Sequence, residues 1–103
     1  VSGTIKILEK ESKPEGFIFY IYKSKFPIAT VVDLCISEGV RSQGLGSMLL
    51  KNAEKIFAST SGVEEVMIPI VKGHKQAIKF YQKHGYQYTG TNIGPDPIFA
   101  KKI

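Results

Sequence analysis

A run of β-forming residues that breaks into a glycine-spaced turn and then opens an amphipathic helix restricts the fold of this chain more than any other feature. Ala29 to Ser37 reads ATVVDLCIS, Glu38-Gly39-Val40 follows, and Arg41-Ser42-Gln43-Gly44-Leu45-Gly46-Ser47 leads straight into helical spacing. From Leu45, the residues Met48, Leu49, Asn52, Ala53, Ile56 and Phe57 recur at intervals of three and four, while Lys51, Glu54 and Lys55 fall on the wet side. The helix should end near Ser59 to Gly62. A strand followed by a helix then calls for a second strand, parallel to the first and reached by a right-handed crossover.

Val63 to Val71 (VEEVMIPIV) is that second strand by composition, although Pro69 has no N–H for a ladder and implies an edge, a bulge or a gap. His74 to His84 predicts a second helix, with Ala77, Ile78 and Tyr81 on one face and Gly85 as its stop. Ahead of the glycine junction, Thr4 to Glu9 alternates apolar and polar residues, Lys10 to Gly16 reads as a turn, and Phe17 to Tyr22 is apolar at both parities, as in a strand covered on both faces. Tyr86 to Thr89 and Ile98 to Lys102 predict closing strands around Gly94-Pro95-Asp96-Pro97. The fold class expected is therefore α/β (α+β): a mixed central sheet in which antiparallel N-terminal strands precede a β-α-β-α-β unit with two flanking helices. With no repeat, linker or low-complexity run, residues 1–103 are expected to form a single domain.

Composition narrows the function classes. At 103 residues and 43% apolar, the chain can bury a core without disulfide staples. The single cysteine, Cys35, fits a reducing, cytoplasmic compartment and is expected to be a small buried hydrophobe. The longest apolar run, Phe17 to Tyr22, falls far short of the ~20 residues of a membrane-spanning helix, so no membrane association is expected. Fourteen Lys and Arg against nine Asp and Glu leave a net charge of +5, and Lys72, Lys75 and Lys79 make a basic stripe. Nucleic-acid binding rests on that charge alone, because no recognition pattern accompanies it. His74 and His84 lie ten residues apart with no cysteine or carboxylate at ligand spacing, so no metal is expected.

The glycine junction is where chemistry is to be sought. A glycine-rich turn entering a helix presents backbone N–H groups at the positive end of the helix, a setting for phosphate or pyrophosphate. A P-loop would need Gly-Lys-Ser/Thr, and a dinucleotide fingerprint would need a third glycine at Leu49; neither is present. The pattern Arg-x-x-Gly-x-Gly at Arg41, Gly44 and Gly46 instead resembles the acetyl-CoA pyrophosphate loop of the GNAT superfamily of N-acetyltransferases. Ala77-Ile78-Lys79-Phe80-Tyr81-Gln82-Lys83-His84-Gly85-Tyr86 is similar to that family's second helix, in which a tyrosine precedes a glycine-aromatic pair by four residues. From Ala29 to Tyr86 the likeness is greatest to protein N-terminal and ribosomal-protein acetyltransferases.

The resemblance implies acetyl-CoA as co-substrate and a primary amine as acceptor: a protein N-terminus, a lysine or a small amine. It implies that Leu34, Cys35 and Ile36 meet the acetyl-pantetheine arm with backbone groups, and that Ser42, Gln43, Gly44, Leu45, Gly46 and Ser47, after Arg41, wrap the pyrophosphate. Tyr81 would be the general acid for the departing thiolate, and the N–H of Leu34 or Cys35 would hold the carbonyl oxygen. The family's frequent glutamate base would fall near Pro69, so Asp33 is favoured as base, with Glu38 or a water chain as substitutes. His74 stands where relatives carry an asparagine that contacts the arm and begins the helix, and a histidine can still donate one hydrogen bond there. The chain begins at what resembles the family's second strand. The wall of the acceptor site would then be completed by a partner subunit, as in a homodimer, or left open to a flexible peptide tail. The rival readings are a non-catalytic acyl-CoA-binding module and, more remotely, a basic nucleic-acid-binding protein.

Overall fold

The computed structural model describes residues 2–10, 13–36 and 44–103, with side chains described for residues 16–36 and 44–103. Strands β1 (Ser2–Lys10), β2 (Lys13–Tyr22) and β3 (Ile28–Ile36) form an antiparallel meander. Helix α1 (Leu45–Ala58), strand β4 (Glu65–Pro69), helix α2 (Lys75–Lys83) and strands β5 (Gln87–Ile93) and β6 (Asp96–Lys102) follow. The strands make one six-stranded sheet in the order β1-β2-β3-β4-β6-β5, with β3 and β4 parallel across the α1 crossover and every other pair antiparallel. This is the mixed sheet with two helices that the sequence pattern implies.

Three features differ from expectation. The ladder of β1 and β2 runs on to the pair Lys10 and Lys13, with a register shift beside Pro14, which has no N–H to give it. The closing turn is shorter than expected, because Asp96 and Pro97 pair with Ile93 and Asn92 and so belong to β6. In β2 only alternate residues are deeply buried: Ile18 and Tyr20 are about 1% exposed, whereas Phe17, Phe19 and Ile21 are half-buried. The two-sided burial expected of this strand is thus one-sided among the described residues.

The core lies under the helices. Tyr20, Ala29 and Val31 from the sheet pack with Leu49, Leu50, Ala53 and Phe57 of α1, and Tyr20 meets the Phe57 ring edge-on at 5.0 Å. Val66 and Ile68 of β4 and Tyr81 of α2 join the same cluster. No helix among the described residues is long and apolar enough to cross a membrane.

Candidate active site

Parallel pairing between β3 and β4 covers only three positions, Ile28 with Glu65, Ala29 with Val66 and Thr30 with Met67. Beyond Thr30 the two strands part. On its other side β3 stays paired with β2 as far as Ile36, but Val32 has no counterpart there and forms a bulge between the pairs Val31–Tyr20 and Asp33–Phe19. The bulge re-aims the end of β3. The Cys35 carbonyl turns toward β2, where a Cβ on Gly16 would stand 2.8 Å from it. Since backbone groups alternate along a strand, those of Leu34 and Ile36 turn the other way, toward the gap left by β4.

Pro69 fits the same geometry. The Ile70 N–H bonds the Pro97 carbonyl on β6 at 2.9 Å, so the preceding position faces β3, where pairing has already ended. A missing N–H costs nothing in a ladder that is not there.

At one end of the gap stands the start of α1. Gly44 takes φ 77°, a left-handed conformation that a side chain would strain, and it accepts the first intrahelical bond from Met48. The N–H groups of Leu45, Gly46 and Ser47 lie ahead of that bond, at the positive end of a 14-residue helix. Helix α2 closes the other wall. His74 caps it, its Nδ1 accepting from the Ala77 N–H at 3.2 Å, which places the hydrogen of the neutral ring on Nε2. Phe80 presses toward the α1 start, 3.3 Å from where a Cβ on Gly46 would sit.

Between these parts lies a cleft of about 300 Å³, lined by Leu34, Cys35, Ile36, Gly46, His74, Gln76, Ala77, Phe80 and Tyr81. That is the low end for small-molecule sites. Tyr81 is only 6% exposed, and burial, with the Asp33 charge as the second cause, pushes its phenol up to about 12. It is therefore a neutral O–H donor at any physiological pH.

The structure thus brings Leu34, Cys35, Ile36, Gly46, His74 and Tyr81 to one cleft, with Gly44, Leu45 and Ser47 in the turn at its end and Asp33 near enough to act on Tyr81. The expected roles of Glu38, Arg41, Ser42 and Gln43 lie outside the described residues. Cys35 is exposed rather than buried, because β4 has left and its side chain shares the helix-free face with Phe17. Gln76, Ala77 and Phe80 were not anticipated as lining, although their spacing around Tyr81 places them on adjoining strips of one helix. No group of three or more His, Cys, Asp and Glu gathers as a metal site among the described residues.

The sequence profile of the acetyltransferase (GNAT) family matches residues 2–86. The chain belongs to that family. Among solved structures, this GNAT chain resembles the PaiA N-acetyltransferase of Thermoplasma acidophilum in complex with coenzyme A, with TM-score 0.86 and 25% identity over 98% of this chain and 61% of that one. An acetyltransferase from Bacillus cereus gives TM-score 0.80 and 26% identity over 99% of this chain and 74% of that one. Arabidopsis thaliana Naa50 in complex with the bisubstrate analogue CoA-Ac-MVNAL gives TM-score 0.79 and 22% identity over 96% and 72%, a likeness of fold. The chain spans about three-fifths of the Thermoplasma protein. No curated protein sequence matches it significantly.

Proposed function

We propose that this GNAT chain moves an acetyl group from acetyl-CoA to a primary amine, with both substrates bound together. The observation that carries the reading is Tyr81, a phenol held neutral in the wall of a cleft that is also lined by the part of β3 beyond its ladder with β4. The residues present fit the co-substrate. A thin, amide-bearing arm suits a narrow cleft with strand backbone on one side and Ala77 and Phe80 on the other, and a pyrophosphate suits the N–H groups of Leu45, Gly46 and Ser47. The Nε2–H of His74 is a donor for the arm at the opposite wall.

Acetyl-CoA supplies an activated acyl group on a thiol leaving group. The chain's own part begins with the Leu34 N–H, which is oriented into the gap and would hold the carbonyl oxygen as charge grows on it; the Cys35 carbonyl faces β2, so the peptide at Leu34 is the better placed. The new bond joins the amine nitrogen to the acetyl carbon, the carbon–sulfur bond breaks, Tyr81 gives its proton to the departing thiolate, and the proton that the nitrogen sheds as it becomes an amide returns, directly or through water, to the Tyr81 phenolate. A phenol near 12 is a reluctant donor to a thiolate in water, but the dry wall that raises Tyr81 raises a thiolate beside it as well. An alkyl ammonium of pKa about 10.4 must first lose a proton, and Asp33 is our choice of acceptor for it, directly or through water.

The acceptor is a peptide N-terminus, a lysine or a small amine, and the peptide-bearing analogue on Naa50 favours a peptide. Calorimetric titration with acetyl-CoA, followed by thiol release against a panel of amines and N-terminal peptides, tests the proposal. Binding with turnover supports it. Binding with no turnover against the whole panel favours the acyl-CoA-binding module, which Pro69 at the glutamate position also suggests, and no binding removes both.

A further inference from the structure

His84 ties the two helices that wall the cleft. It ends α2, its Nδ1 lies 2.8 Å from the Phe80 carbonyl and its Nε2 lies 2.9 Å from the Ser47 hydroxyl, in the first turn of α1. The imidazole is half-buried, and its centroid is 4.5 Å from that of Phe80, itself a lining residue. A carbonyl can only accept, so Nδ1 must carry a hydrogen. In the neutral ring Nε2 is then an acceptor, and Ser47 must be the donor. The hydroxyl hydrogen is thereby committed to the imidazole.

Protonation reverses that second bond. With a hydrogen on each nitrogen, Nε2–H donates to the Ser47 oxygen, the hydroxyl hydrogen is released to turn elsewhere, and a positive charge stands one hydrogen bond behind it. The N–H groups of Leu45, Gly46 and Ser47 already give this turn an anion-favouring field.

We propose that His84 is a positioning residue for the pyrophosphate of the co-substrate, its protonation freeing the Ser47 hydroxyl to donate to a phosphate oxygen, so that cofactor affinity rises with acidity. The inference rests on the acetyl-CoA reading. His74 is the other imidazole in this cleft, so the slope assigned to His84 is the part that Ser47→Ala removes. Lys83 next to His84 and Lys51 one turn past Ser47 are exposed cations throughout. Glu54, two turns past Ser47, is bound by Tyr86 and Lys101. Tyr81 and Tyr86, on the adjoining turns, stay neutral because burial raises both phenols.

The probe is dephospho-CoA, because the 3′-phosphate of CoA has a second ionisation near pH 6 and would titrate in the same window. Calorimetric Kd values at pH 8.0, 7.0 and 5.5 should fall by about tenfold in total for the unmodified chain, in the range usual for two coupled binding events. Ser47→Ala and His84→Gln should each flatten the curve, and Ser47→Ala leaves the helices' own backbone bonding untouched. ¹⁵N spectra of the free protein at pH 8.0 should show the His84 hydrogen on Nδ1. A flat curve for the unmodified chain, an undiminished slope in Ser47→Ala, or a hydrogen on Nε2 overturns the inference while leaving the acetyl-CoA reading in place. No binding of dephospho-CoA or acetyl-CoA at any pH overturns both.

Discussion

The phenol of Tyr86 donates a 2.7 Å hydrogen bond to the Glu54 carboxylate, so the residue that follows the α2 stop is bonded to the middle of α1. Lys101 of β6 joins the same carboxylate at 3.2 Å and lies 5.6 Å from the centroid of the Tyr86 ring. Helix α1, strand β6 and the link after α2 meet there, and Tyr86 is about 1% exposed. The Tyr81 and Tyr86 rings meet edge-on at 5.8 Å, which links this tie to the tyrosine in the cleft.

Glu54→Ala should therefore destabilise the fold by about 2 to 3 kcal/mol, because it leaves a buried phenol hydroxyl unsatisfied and removes a half-buried ion pair. Glu54→Gln, which keeps an acceptor for Tyr86, should cost about half as much. Urea unfolding monitored by tyrosine fluorescence checks both, and equal losses would mean that the charge outweighs the hydrogen bond.

Tyr81→Phe keeps the ring in the core and removes only the proton donor. Turnover should drop by about 10² to 10³-fold while the Kd for acetyl-CoA changes less than about threefold. Thiol-release kinetics alongside calorimetry separates the two quantities. Unchanged turnover would take the general-acid role from Tyr81.

Asp33→Asn should slow acetyl transfer most at neutral pH, with the rate recovering as pH approaches the acceptor's own pKa and the amine arrives already deprotonated. A variant whose pH–rate profile runs parallel to that of the parent protein would exclude Asp33 as the base and leave the role to water or another carboxylate.

The raised phenols also predict alkaline sensitivity of the fold. Burial raises Tyr81 to about 12 in the folded chain, and burial with the Glu54 hydrogen bond raises Tyr86 as well, against about 10 for an unfolded tyrosine. The unfolded chain thus releases these protons first. Their contribution is whole below about pH 10 and shrinks above it; that of Tyr81 is lost as pH climbs through 12, about 2 to 3 kcal/mol, and that of Tyr86 goes on falling beyond. Urea midpoints at pH 8, 10 and 11.5 should fall steeply over the last interval, and less steeply in Tyr81→Phe.

Most of this was present in local sequence. Hydrophobic spacing from Leu45 to Phe57 specifies α1, Gly44 and Gly46 mark its entrance, and the strand residues on either side imply a parallel pair; these are properties of neighbours along the chain, where backbone conformation and one-sided burial are decided. Tyr81 was legible as a site residue through the resemblance of Ala77 to Tyr86 to the second helix of the GNAT family. What local pattern could not express is where β3 and β4 stop pairing. That depends on the Val32 bulge, on the Gly16 backbone pressed against the Cys35 carbonyl and on Pro69 turned toward an absent partner, all of them relations between segments distant in the chain. The same holds for the bond from His84 to Ser47 across 37 residues and from Tyr86 to Glu54 across 32. Sequence determined which elements form and which residues they offer. Tertiary packing alone decided that a cleft opens between two of them, and which polar groups are turned into it or bonded away from it.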